Sequence, residues 1–403
     1  MGFARSGRSM SGRWGDWQGK WERLIADSKR AVDSGNLPFP NDAQLDLLKA
    51  ALLPADQAAP AWRRWKCRGV RLDTVGDVSV RLFHRLWANR DAAAIEAEDR
   101  ALLKGVYRRS FADNVSKLTS ALDATQILVD AGIPVLFLKG AALIATCDAT
   151  LGLRRIGDVD ILVPELEAER AAALLTATGC QATYETYQEA YASHVHAWTC
   201  KTPAGYNVDL HWRAFKPAGD DSPMFETAQE ATLLGRSVLV PSATESLLVA
   251  VANAFWLNGP PMRWIADSLL LLETGPIDWD VVLQRANRPG LMPGLAAGLG
   301  YLAGEFGAAV PTTVLDELHR RQLSWQARVA YWAATKGTFP NLVQFEAARA
   351  HRLHFPAQRM NRDMTYQTLR AVIRSVVLLA LRFSNRLSTQ ARNRRLGRLG
   401  LRR

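Results

Sequence analysis

The sequence predicts an α+β chain, a short sheet-forming core with helical regions on either side. Apolar residues recur at helical spacing through the first third, and between residues 133 and 213 the pattern switches to short apolar runs and strict alternation. From Pro241 helical spacing returns. The expected units are a loose lead-in over 1–40, a helical region over 41–125, a core over 126–235, a second helical region over 236–365 and a basic amphipathic tail over 366–403.

In the first helical region Leu45, Leu48 and Leu52 share a face, and Pro54 stops that helix. Further helical stretches run over 78–87 and 114–130. In the second, Val115, Leu118, Leu122, Gln126 and Val129 keep a near-3.6 spacing until Gly132 supplies a left-handed stop. Residues 133–138 (IPVLFL) form a continuous apolar run that suits a central strand. Lys139-Gly140 then falls at a strand-to-helix turn, where free backbone N–H groups and the helix dipole favour phosphate and glycine permits close approach.

The stretch RRIGDVDILV, 154–163, is the chemical centre of the core. In an extended chain Asp158 and Asp160 share one face while Val159, Ile161 and Val163 take the other. Two carboxylates side by side on a largely buried strand are costly unless a cation compensates them. Hard oxygen ligands with no His or Cys pair nearby point to Mg²⁺. A helix over 165–178 follows, closed by Gly179.

Residues 180–213 alternate and break at TPAG, 202–205, as a hairpin does. With a symmetric loop, paired positions sum to 407, which sets Trp198 opposite Asp209 and His196 opposite His211. His194, His196, Trp198, Asp209 and His211 then share a face. A three-residue loop moves one strand's set to the other side. Beyond Pro241, Ser242 and Glu245 form a capping-box signature, a helix covers 262–272, and Asp278 can cap another at Trp279.

The formal net charge is +11, but residues 370–403 hold ten arginines and no acid, leaving about +1 for the rest. The basicity therefore belongs to the tail, a candidate for nucleic acid or anionic membrane. Residues 371–381 followed by Arg382 and Arg386 would suit an interfacial helix, and they equally suit a packed helix with a basic end. The four cysteines are scattered, against both a disulfide framework and a Cys zinc site. The first twenty residues have no apolar signal core, and 371–381 is too short to span a bilayer. The expectation is a cytoplasmic protein, with the tail as its candidate contact to a membrane surface.

LKGAAL at 138–143, RIGDVD at 155–160 and VDLHW at 208–212 occur in an order that resembles the bacterial uncharacterised nucleotidyltransferase family, within the DNA polymerase β-like nucleotidyltransferase superfamily. The resemblance implies a mixed-sheet core and Mg²⁺-dependent transfer of an NMP group from an NTP, ATP among them, to an acceptor. On it, Asp158, Asp160 and Asp209 are the catalytic acids and hold two Mg²⁺ ions, with Mn²⁺ as the alternative. Lys139, Gly140, Ala141 and Arg154 or Arg155 would anchor the triphosphate, and His211 would orient acceptor or phosphate. The sequence does not specify the acceptor; a small molecule, a glycan or a peptide would each fit.

Three points of comparison bear on this. Gly140-Ala141 stands where the superfamily commonly has Gly-Ser or Gly-Gly, and Asn253 stands where the family often has His, while Arg263 and Asp267 match. Competing readings are an inactive nucleotide-binding or interaction protein on the same fold, and a nucleic-acid or membrane-surface binder acting through the tail. A transition-metal site at His194, His196 and His211 is a lesser option. Of thirteen tryptophans, Trp198 and Trp212 alone fall near the expected site.

Overall fold

The computed structural model describes residues 38–147, 151–183, 196–215, 220–256, 261–288 and 291–321. Residues 1–37 of the expected lead-in, His194 and the whole basic tail lie outside these residues.

The first region is helical, as its periodicity requires: α1 Asp42–Leu52, α2 Ala55–Cys67, α3 Asp77–Val80, α4 Phe83–Ala88 and the long α5 Ala97–Asp130. A capping box starts α1, in which the Asn41 side chain accepts the Gln44 N–H and the Gln44 side chain accepts the Asn41 N–H. The helix expected over 78–87 is divided between α3 and α4, and at the break the Arg81 carbonyl faces the His84 ring, 3.4 Å from Nδ1. The helix expected from residue 114 begins at Ala97, its polar first half having hidden the period. Gly132, with φ of 75°, follows its end as expected.

The core strands are β1 Leu136–Phe137, β2 Val159–Leu162, β3 Gln181–Ala182, β4 Ala197–Lys201, β5 Asn207–His211, β6 Gln229–Leu233 and β7 Arg236–Val240. Between them lie α6 Lys139–Thr146, α7 Ala168–Ala177 and the short α8 Ser222–Glu226. They form one mixed seven-stranded sheet in the order β3-β4-β5-β2-β1-β7-β6. The β2–β5 and β1–β7 pairs are parallel and the rest antiparallel. The β6–β7 hairpin lies across residue 235. It turns on Leu234 and Gly235, both at positive φ, as a tight two-residue hairpin needs. Helices α9 Ala243–Trp256, α10 Pro261–Thr274, α11 Trp279–Arg285, α12 Leu291–Phe306 and α13 Thr312–Arg320 complete the described chain. Asp278 caps α11 through the N–H groups of Asp280 and Val281.

Two apolar cores hold the sheet between them. Val159, Ile161, Val208, Leu210 and Trp198 pack in one with residues of α5 and α7. Leu136, Leu138 and Leu162 join the other, built largely from the flanking helices. Side chains alternate along a strand, so β2 gives Val159 and Ile161 to the first core and turns Asp160 the other way. The helical flanks thus close over the acidic side of the sheet. Among the described residues no helix is long and apolar enough to cross a membrane.

The β4–β5 register differs from the symmetric one. Paired positions run Lys201 with Asn207 and Thr199 with Asp209, and the Thr202 N–H reaches the Tyr206 carbonyl at 2.8 Å. That leaves a Pro203-Ala204-Gly205 loop, with Gly205 at φ 83°. A three-residue loop ending on a left-handed glycine is odd-numbered, so β4 shifts by one and its faces exchange. Thr199, rather than Trp198, stands across from Asp209. Trp198 and Trp212 are buried in the apolar core, away from any position for stacking a base.

Candidate active site

The site forms where β1, β2 and β5 meet the start of α6. Parallel pairing of β2 with β5 sets Asp160 level with Asp209, and Leu162 level with His211. Asp160, Asp209 and His211 each offer a ligand atom within 4.8 Å of the others. Asp160 and His211 are buried and Asp209 is half-buried. His211 Nε2 lies 2.9 Å from Asp160 Oδ1, and the Lys139 ammonium pairs with that same oxygen.

The two neighbouring acids have opposite electrostatics. Burial opposes ionisation of Asp160, yet the charge of Lys139 and the hydrogen bond and charge of His211 hold its carboxyl well below the usual range. Burial raises Asp209, the hydrogen bond from Thr199 opposes it, and the charges of Asp158 and Asp160 raise it further, against a smaller contribution from His211. Asp209 Oδ1 and His211 Nδ1 are buried without hydrogen-bond partners among the described residues. The cluster is therefore short of positive charge on the Asp209 side, and two carboxylates beside an imidazole are a donor set that fits a divalent cation. Asp158, just ahead of β2 and half-buried, stands outside the tight group, although its charge reaches Asp209.

Lys139 opens α6 with φ of 48°, a left-handed conformation in a residue other than glycine. Such backbone costs on the order of 1 kcal/mol or more and persists where its surroundings enforce it. The ammonium of this residue is the one paired with Asp160. Gly140 and Ala141 follow in the first turn, both buried. A Cβ at Gly140 would collide with the Arg154 guanidinium, so the close approach that glycine permits in this structure is to Arg154.

Arg154 is bound to Asp267 on α10 through Nε to Oδ1 at 2.9 Å and Nη2 to Oδ2 at 2.6 Å. Arg155 is exposed beside it. His196 precedes the first paired residue of β4, where its carbonyl accepts from the Trp212 and Arg213 N–H groups, and its ring lies 5.2 Å from that of His211.

Helix α5 supports the loop ahead of β2 through residues that motif reading did not single out. Asn114, fully buried, donates to the Leu151 and Arg154 carbonyls and accepts the Ile156 N–H. Lys117 donates to the Ile156 carbonyl at 2.7 Å. The sequence signal was an asparagine one turn ahead of Leu118 on the apolar face of that helix.

A family model described as uncharacterised nucleotidyltransferase matches residues 70–307. The chain belongs to that family. The match to this nucleotidyltransferase family takes in the sheet, the acidic cluster and helices on both sides of them. Among solved structures, the chain is similar to the solution structure of the antibiotic-resistance factor ANT(2'')-Ia. The two are 15% identical, with a TM-score of 0.30, over 40% of this chain and 84% of that one. No curated protein matches.

Proposed function

We propose that this family member transfers an NMP group from an NTP to a hydroxyl of a small-molecule, glycan or peptide acceptor. The observation that carries the reading is the level pairing of Asp160 with Asp209 on parallel strands, with Asp209 raised by burial and in no ion pair among the described residues. In this reading Asp158, Asp160 and Asp209 would hold two Mg²⁺ ions, with Mn²⁺ as the alternative, and these would supply positive charge to offset that developing on the attacked phosphate and the leaving pyrophosphate.

The remaining roles fall to the chain's own groups. Asp209, whose basicity burial increases, accepts the proton of the acceptor hydroxyl as that oxygen bonds to the α-phosphorus. The bond from the α-phosphorus to its bridging oxygen breaks, and pyrophosphate departs. Lys139, the N–H groups of Gly140 and Ala141, and the exposed Arg155 receive the triphosphate. Arg154 contributes by holding the first turn of α6 in place through Asp267. His211 orients Asp160.

The test is incubation with labelled ATP, GTP, CTP and UTP, Mg²⁺ and cell extract, with mass spectrometry of whatever gains a nucleotide. Asp158→Asn, Asp160→Asn and Asp209→Asn should each abolish labelling while the fold survives. Unchanged turnover in any one removes that residue from the reaction. The pairing of Lys139 with Asp160 also favours a second reading, an NTP-binding protein without transfer, which predicts bound NTP and no pyrophosphate release.

A further inference from the structure

The ion pair between Arg154 and Asp267 leaves another guanidinium of the same cluster unmatched. Arg263 and Asp267 are four residues apart on α10 and share a face. Both Asp267 carboxylate oxygens accept from Arg154. Arg263 is half-buried, and among the described residues it makes no hydrogen bond and no ion pair. Helix α10 packs against α3, and Arg81 follows α3 directly.

Like charges crowd this position. Burial, then the charges of Arg154 and Arg81, lower the Arg263 pKa to about 10, against the opposing charges of Asp267 and Asp158. A half-buried guanidinium crowded by like charges is relieved by an anion that matches it. Its planar fork suits the two oxygens of a phosphate or carboxylate. Arg263 also feels Asp158, which adjoins the strand that bears Asp160, so an anion at this position lies next to the acidic cluster.

We propose that Arg263, flanked by Arg81 and Arg154, receives an oxyanion, a phosphate or carboxylate group of a substrate. The identity of that substrate rests on the nucleotidyl-transfer reading; the anion site does not. Two sources share the chemistry, the triphosphate of the NTP and an acidic acceptor.

The full chain, as wild type, Arg263→Gln and Arg263→Lys, is titrated calorimetrically with orthophosphate, succinate and tripolyphosphate at constant ionic strength. Wild type should bind at least one of them, and Arg263→Gln should weaken that binding about ten-fold or more, with Arg263→Lys between the two. Orthophosphate or succinate still binding to tripolyphosphate-saturated protein assigns the site to the acceptor. Displacement by tripolyphosphate, with equal weakening of both, assigns it to the NTP.

If wild type binds none of the three, or if Arg263→Gln binds all within two-fold of wild type, the proposal is overturned. Should Arg263→Gln fail to fold, Arg263→Lys decides, since it retains the charge and loses the fork. A wild type that binds oxyanion through Arg263 but never releases pyrophosphate refutes nucleotidyl transfer and leaves this site standing.

Discussion

Arg154 and Asp267 form a two-pronged ion pair between the loop ahead of β2 and helix α10, with side chains only 10% and 11% exposed. This pair fastens α10 to the loop ahead of β2, with the Arg154 guanidinium lying against Gly140. Breaking such a pair strands the remaining charge in a poorly hydrated place, at roughly 3–5 kcal/mol. Arg154→Ala should therefore lower the denaturant midpoint by that equivalent, and Arg154→Lys should recover only part of the loss. Midpoints unchanged from wild type, with NTP binding alone reduced, would return Arg154 to the triphosphate role that its sequence position suggested.

Lys139 holds Asp160 through the oxygen that His211 also engages, so a cation approaching Asp160 must displace or share with the ammonium. Replacing Lys139 by Met removes that competitor together with a phosphate anchor. Mn²⁺ binding without nucleotide, followed by electron paramagnetic resonance, should tighten several-fold, while NTP binding weakens about ten-fold. Tighter or equal NTP binding in Lys139→Met would show that the ammonium serves only as a counter-ion.

The acidic strand was legible because its chemistry is local. Alternation of Asp158 and Asp160 with Val159 and Ile161 states both the strand and its two faces, and Val208 to His211 does the same on β5. Register is not local. Whether Trp198 or Thr199 faced Asp209 depended on the loop over 203–205 having three residues, a matter of one glycine's backbone. The partners of Arg154 and Lys139 were illegible for another reason. A long cation near both an acid and an expected phosphate site can take either, and only the packing of α10 and the left-handed Lys139 backbone decide between them. The β6–β7 hairpin went unread because Gln229, Glu230, Arg236 and Ser237 are exposed on an edge ribbon with little apolar alternation.

Asn114 ties α5 to the loop that delivers Asp158 and Asp160, through Leu151 O at 2.6 Å, Arg154 O at 2.5 Å and Ile156 N at 3.0 Å. Asn114→Leu removes all three bonds and leaves three backbone groups unmatched, at a cost of about 2–4 kcal/mol. Asn114→Asp keeps an acceptor for the Ile156 N–H but sets a carboxylate oxygen against two carbonyls, so it should be no better than Asn114→Leu. Hydrogen exchange should show the loss of protection concentrated at the Ile156 amide. A uniform loss across the sheet instead would mean that Asn114 supports the core generally and not this loop.

His84 supplies a pH dependence that is separate from the acidic cluster. It is fully buried, with Nε2 2.7 Å from the Ser110 hydroxyl, and burial followed by the charges of Arg155, Arg85 and Arg154 lowers its pKa to about 4. The unfolded chain has an ordinary histidine near 6.5 and so binds the extra proton first as pH falls. The stabilisation is complete above pH 6.5 and is lost progressively down to about pH 4, amounting to roughly 3 kcal/mol. Chemical unfolding of wild type and His84→Gln at a series of pH values should give difference curves that converge across this window, because Gln can hydrogen-bond Ser110 without titrating. Parallel curves would assign the acid sensitivity to other groups. Arg155 and Arg85 add to this effect by repelling the imidazolium, so neutralising either should raise the His84 midpoint toward 6.5 and flatten the wild-type profile.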